Sequence, residues 1–166
     1  MMVPRLRLSL ALCALISAAI LAVALASERY GGLVPCALCL VERWPYRIAA
    51  PLALAGALLP RRLGWIVLWL CVLVMMAGAA TGFVHVGVEQ GWWPSPLPEC
   101  MAPNLSGLSI SERLARMPAR PSKPCDEPIF LIPAIRLSMA EMNVLAALAL
   151  STGLAMFGYT NRKSMP

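Results

Sequence analysis

Reactive chemistry in this chain is concentrated in Pro35-Cys36-Ala37-Leu38-Cys39-Leu40-Val41-Glu42-Arg43, a Cys-x-x-Cys pair followed by an arginine. Pro35 presets φ for a first helical turn and has no N–H to lose there. A helix beginning at this point places Cys36, Cys39 and Arg43 at i, i+3 and i+7, on one face. The positive end of the helix dipole and the Arg43 guanidinium both favour thiolate over thiol, which makes the pair a candidate for redox exchange. A structural disulfide and half of a zinc site are the competing readings of the same spacing.

The elements that must position this pair are those of a membrane protein. Of 166 residues, 60% are hydrophobic and 13% charged, and mean hydropathy is +0.73. Soluble domains carry about 25% charged residues. Four segments are long enough to cross a bilayer as helices, which takes about 20 residues: 8–26, 36–59, 63–86 and 137–159. One domain, an all-α membrane bundle of four transmembrane helices, is the expected architecture. Loops 27–35 and 87–136 then lie on one side of the membrane.

Charge sets the orientation. Arg5 and Arg7 precede the first segment, Arg61 and Arg62 join the second to the third, and Arg162 and Lys163 follow the fourth. These six have no acidic residue among them, while the other eight Lys/Arg are balanced by all eight Asp/Glu. By the positive-inside rule both termini are cytoplasmic, and the Cys-x-x-Cys and the long loop are outside. The net charge of +6 therefore reports topology and gives no reason to expect nucleic acid as a partner. Ala24-Leu25-Ala26 before Ser27 mimics a signal-peptide cleavage site. The apolar run before it exceeds the usual 7–15 residues, so a retained first helix is expected.

Along the bundle, Gly31-Gly32 allows a tight turn, and Pro45 and Pro51 are expected to kink the second helix. Ala49, Ala53 and Gly56 keep one face of that helix slim, and Arg47 anchors it at the interface. Gly78-x-x-x-Gly82 allows a close neighbour on the third. His85, the sole histidine, is expected at the depth of Cys39 and Arg43, where the three could share a site. In the long loop, Trp92 and Trp93 suit the interface. Ser109-x-x-Glu112 resembles a capping box opening a short amphipathic helix, with Ile110, Leu114 and Met117 on one face, Arg113, Arg116 and Arg120 on the other, and Pro118 at its end.

The cysteines divide by location. Cys13 and Cys71 fall within apolar segments and read as small buried hydrophobes. Cys36, Cys39, Cys100 and Cys125 lie outside, where disulfides persist. Zinc sites favour two tight ligand pairs, and only one pair here is tight, so no metal is expected. Two disulfides account better for the four, one within the Cys-x-x-Cys and one joining Cys100 to Cys125.

These features resemble the disulfide bond formation protein B (DsbB) family of bacterial inner-membrane thiol:quinone oxidoreductases. The likeness covers nearly the whole chain: four spans, Pro-Cys-x-x-Cys-x-x-x-Arg at the second helix, a cysteine pair in the second outer loop, Trp93-Pro94-Ser95-Pro96 before Cys100, and Ser138-Met139-Ala140 at the fourth helix. Met142 departs from the family, which often has an aromatic residue before the asparagine, and the basic loop helix is a second departure.

The resemblance implies a disulfide relay. A periplasmic DsbA-like dithiol protein would attack Cys100, Cys125 would pass the exchange to Cys36 and Cys39, and Cys39 would deliver two electrons to ubiquinone or menaquinone. Arg43 would lower the Cys39 pKa and stabilise charge on the quinone oxygen, and His85 would donate a hydrogen bond or proton to the ring. Two rivals share part of the pattern. Enzymes resembling vitamin-K-epoxide reductase place their Cys-x-x-Cys late in the chain. A non-enzymatic membrane protein would use its cysteines only to staple loops.

Overall fold

Every described apolar segment is helical, and the one expected to be continuous is broken by a proline. A computed structural model describes residues 2–100, 109–115, 123–131, 134 and 136–161. Its elements are α1 (Met2–Arg29), α2 (Ala37–Val41), α3 (Arg43–Leu58), α4 (Arg61–Glu89), a 3-10 turn at Pro98–Cys100, α5 (Ile110–Ala115) and α6 (Met139–Thr160). Among the described residues there is no strand, only isolated bridges between Cys36 and Lys123 and between Phe130 and Ser138.

The segment expected to run unbroken over 36–59 is divided at Glu42 into α2 and α3. Pro45 supplies the reason. Its ring clashes with the carbonyl four residues earlier, at Val41, and its missing N–H leaves that carbonyl without a helical donor. The proline therefore sits in the first turn of a new helix, where its N–H is not required. Pro51, expected to kink the same segment, lies inside α3 without ending it. Three described helices, from Pro4–Arg29, Arg61–Glu89 and Met139–Thr160, are long and apolar enough to cross a membrane. α3, with 16 residues, falls short of the length of about 20 that a straight span requires.

Small residues set the packing. α3 packs against both α1 and α4, and α4 packs against α6. Ala49 and Ala53 are fully buried, and a Cβ on Gly56 would fall 2.4 Å from Val67. The expected close approach at Gly78 and Gly82 is present: Gly78 faces Pro45, and a Cβ on Gly82 would lie 2.8 Å from both Asn143 and Val144. In a bilayer such complementarity does the work that water exclusion does in a soluble core.

The bundle has two unlike ends. Leu6 of α1 packs on Gly64 at the start of α4, and Trp65 stacks on Phe157 near the end of α6, with ring centroids 5.9 Å apart. Arg5, Arg7, Arg61 and Arg62 therefore share one end. Arg162 and Lys163 lie outside the described residues. Arg47 is exposed, its guanidinium 5.5 Å from the Trp44 ring centre.

At the opposite end the connecting segments fold back onto the helices. Gly32, at φ +64°, makes the turn after α1. Trp93 lies against Gly87, where any Cβ would collide with its ring, and donates from Nε1 to the Val84 carbonyl at 3.0 Å. Met139 N–H donates to the Ile129 carbonyl at 2.8 Å, docking residues 123–131 beside the start of α6. Ser138 and Glu141 cap α6 reciprocally. The expected capping box at Ser109 is also present, with Ser109 N–H donating to Glu112 at 2.9 Å. Arg116, Met117, Pro118 and Arg120, expected in the amphipathic helix, lie outside the described residues.

Candidate active site

Cys36 is not the helical residue that the sequence suggests. It is the N-cap of α2, with extended backbone at φ −79° and ψ 169°. Its Sγ accepts from the Cys39 N–H at 3.1 Å, so the thiol occupies the capping position usually held by serine or aspartate. Cys39 follows at the third helical position, and Arg43 opens α3 beyond the Glu42 break.

The two cysteines therefore point to different surroundings. Cys36 turns to His85 of α4, its Sγ 3.4 Å from Nε2, and both side chains are buried. His85 Nδ1 lies 2.8 Å from Glu42 Oε1. An imidazole that donates its Nδ1 proton to Glu42 presents Nε2 to Cys36 as an acceptor, the carboxylate fixing the tautomer. Glu89, one turn along α4, places Oε1 3.9 Å from the same Nε2, and its other oxygen accepts from Ser138 Oγ at 2.5 Å. The Cys39 N–H donates to Cys36 Sγ and His85 Nε2 stands ready to take its proton, so Cys36, and not the Cys39 that the sequence singled out, is the cysteine hydrogen-bonded to the histidine.

Cys39 faces a cavity of about 390 Å³ between α1, the α2–α3 junction and the start of α6. Its walls are mostly aliphatic, from Ile20, Leu21, Val34 and Ile129 among others, and its polar lining includes Glu28, Glu42, Arg43, Tyr46 and Asn143. Arg43 is buried and ion-paired through Nη2 to Glu28 at the end of α1. Tyr46 Oη donates to Asn143 Oδ1 at 2.7 Å, tying α3 to α6 at the cavity wall. Arg43 and Cys39 thus share the cavity, whereas His85 stands behind Cys36 and is not among its lining residues.

Cys100 and Cys125 form the expected disulfide, while Cys36 and Cys39 are free thiols instead of the second expected disulfide. The loop disulfide packs in one buried cluster with Cys36, Leu38 and Val88, flanked by Trp93 and Leu97. The Cys36–Lys123 bridge brings the segment leading to Cys125 alongside the Cys-x-x-Cys. A second cavity, lined in part by Cys100, Pro94, Ser95, Pro124 and Glu127, opens beside this disulfide. Cys13 and Cys71, read as small buried hydrophobes, are both buried in one core cluster of the bundle.

The structure therefore brings Cys36, Cys39, Cys100 and Cys125 together and puts Arg43 and His85 on opposite sides of them. Sequence reasoning missed Glu28, Glu42, Tyr46, Glu89 and Asn143. Glu42 and Glu89 did carry a signal: each is an acid in an apolar setting, and Glu89 is one turn from the histidine. The partnership of Glu28 with Arg43 joins two helices and has no mark in the sequence.

Residues 6–157 match the family described as disulfide bond formation protein DsbB. An uncharacterized protein of Rickettsia prowazekii (strain Madrid E) is 31% identical over 117 residues, 70% of this chain and 66% of that protein. No solved structure matches.

Proposed function

We propose that this chain, which belongs to the DsbB family, is a membrane thiol oxidase that reoxidises a periplasmic DsbA-like dithiol protein and delivers the electrons to a membrane quinone. Family membership supports a disulfide-forming oxidoreductase in general. The observation that carries the finer reading is the burial of the Cys100–Cys125 disulfide against Cys36, so that two redox pairs share one cluster.

The steps follow from thiol–disulfide exchange, in which a thiolate attacks one sulfur of a disulfide and expels the other. The partner's thiolate attacks Cys100, breaking its bond to Cys125 and freeing the Cys125 thiolate. The partner's second thiol then displaces Cys100, leaving the partner oxidised and the loop pair reduced. The loop dithiol next exchanges with a Cys36–Cys39 disulfide, which returns the loop to its disulfide and leaves Cys36 and Cys39 as thiols. That is the distribution seen in the structure. Both loop cysteines are buried, so attack requires the segment around Trp93 and Leu97 to lift. The cavity beside Cys100 is where the partner's segment would enter.

The cavity beside Cys39 suits a quinone: aliphatic walls for a polyprenyl tail, with Cys39 and Arg43 at the polar end. When bound, the quinone supplies a two-electron, two-proton acceptor for the Cys36–Cys39 dithiol. Arg43 holds positive charge where negative charge develops, and Glu28 fixes its position. His85 takes the Cys36 proton at Nε2 while Glu42 stabilises the resulting imidazolium. In this reading four helices cross the bacterial inner membrane, α2 and α3 together forming the second crossing, with the site on the periplasmic side and both termini in the cytoplasm. α5 lies along the membrane surface.

The test uses purified protein, a reduced thioredoxin-fold partner and a soluble quinone. Quinone reduction is lost in Cys36→Ala, Cys39→Ala, Cys100→Ala and Cys125→Ala and retained in Cys13→Ser and Cys71→Ser. Turnover that survives without Cys100 and Cys125 would mean the partner meets the Cys-x-x-Cys directly. No quinone reduction with any such partner would favour cysteines that only staple loops.

A further inference from the structure

The reduced Cys-x-x-Cys and His85 form a constellation that does more than exchange electrons. The Sγ atoms of Cys36 and Cys39 and a ring nitrogen of His85 all lie within 4.8 Å of one another. Cys36 Sγ and His85 Nε2 are 3.4 Å apart. Two ligands bound at about 2.3 Å (thiolate) and 2.05 Å (imidazole) to a tetrahedral ion stand about 3.6 Å apart, so this edge is already near the required length. From these residues we propose that the reduced protein holds a thiophilic divalent cation, Zn2+, on Cys36, Cys39 and His85.

Three features favour a ligand site over a chance cluster. The first is the tautomer: Glu42 accepts from His85 Nδ1, leaving the Nε2 lone pair directed at Cys36, the carboxylate–histidine arrangement that orients metal-bound imidazole. The second is charge. Two thiolates cancel the ion's charge, and Glu42 and Glu89 stand beside it, so a dication enters a locally anionic pocket. The third is access. Cys36 and His85 are buried, but Cys39 is partly exposed on the cavity wall, through which the ion reaches all three ligands. The fourth position is left to water, as in zinc sites with three protein ligands.

Binding exchanges two thiol protons for one cation and transfers no electrons. It removes both thiolates from exchange, so the ion acts as a brake that engages only when the pair is reduced and no acceptor is available. A disulfide between Cys36 and Cys39 leaves no thiolate to bind it, and oxidation excludes the ion.

Cobalt is the probe, because thiolate-bound Co2+ absorbs strongly in the near ultraviolet and a four-coordinate ion also absorbs in the visible. Full-length protein in detergent, carrying Cys13→Ser, Cys71→Ser, Cys100→Ser and Cys125→Ser so that Cys36 and Cys39 are its only thiols, is reduced with a phosphine and titrated with Co2+. We expect both bands to saturate at about one equivalent, to be bleached by Zn2+ and to be missing from the protein oxidised at Cys36 and Cys39. Glu42→Gln keeps all three ligands and weakens binding about tenfold to hundredfold, and His85→Ala weakens it further. Absence of the bands from the reduced protein, equal affinity in His85→Ala, or failure of Zn2+ to displace cobalt would each overturn the site. The readout needs neither quinone nor partner, so it stands or falls separately from the oxidase assay.

Discussion

At the scale of residues, division of labour within the Cys-x-x-Cys is the central result. Cys36 caps α2 and is held by the Cys39 N–H and His85, whereas Cys39 looks into the cavity with Arg43. The two cysteines should therefore respond to different neighbours. Glu42→Gln removes the negative charge beside His85 and should slow quinone-linked turnover by about tenfold to hundredfold, toward the lower limit for loss of one acid–base component. Its quinone KM should change less than in Arg43→Ala, since Glu42 lines the same cavity but spends its hydrogen bond on His85. Arg43→Ala should do the reverse, raising quinone KM at least about tenfold while leaving Glu28 partly buried without its cation. Steady-state rates at varied quinone separate the two, and equal KM effects would mean that the division is wrong. Arg43→Lys should recover only part of the loss, because an ammonium lacks the planar fork of the guanidinium.

At the scale of elements, the N-cap position of Cys36 sets it toward His85, and the break at Glu42 separates the helix that carries Cys39 from the one that Arg43 opens. A continuous helix over 36–59 would have put both thiols and Arg43 on one face, as the spacing suggests. Pro45, three residues beyond Glu42, carried the signal for the break, but Pro51 carried the same signal and α3 runs through it. The difference lies in position: Pro45 falls where a new first turn can begin, packed on Gly78 of α4. The seam between α4 and α6 makes a second prediction. Gly82→Val drives a branched side chain into Asn143 and Val144 and should cost about 1–3 kcal/mol, read as a lower Tm in detergent. Gly153→Ala meets open space and should be near neutral. At α5, the Ser109 hydroxyl and N–H hold the Glu112 carboxyl below its usual carboxylate range. A depressed folded-state pKa contributes stability above the unfolded value and loses it as pH falls through the folded one. Amide-exchange protection over 110–115, taken relative to the intrinsic rate at each pH, should therefore fall on acidification in the wild type and be less pH-sensitive in Glu112→Gln.

At the scale of the whole molecule, Arg5, Arg7, Arg61 and Arg62 lie at one end of the bundle and the four cysteines of the site at the other. If that asymmetry sets insertion, reporter fusions after residue 160 should be active only on the cytoplasmic side. Replacing Arg61 and Arg62 with glutamate should produce a mixed population. A reporter active outside in the wild type would reverse the proposed orientation. The apolar runs, the sidedness of charge and the likeness to a thiol oxidase family could all be read from the sequence, because each depends on local composition or on spacing along the chain. The Cys100–Cys125 pairing was also within reach, since only four cysteines are expected on the outer side and two of them form the Cys-x-x-Cys. What tertiary structure alone decided was which groups meet. Glu28 joins Arg43 across 15 positions, Glu42 joins His85 across 43, Ser138 joins Glu89 across 49 and Tyr46 joins Asn143 across 97. No local rule encodes such pairs. They follow from the depth at which each helix is held by Gly56, Gly78 and Gly82, whose missing side chains let neighbouring helices slide to one register and no other.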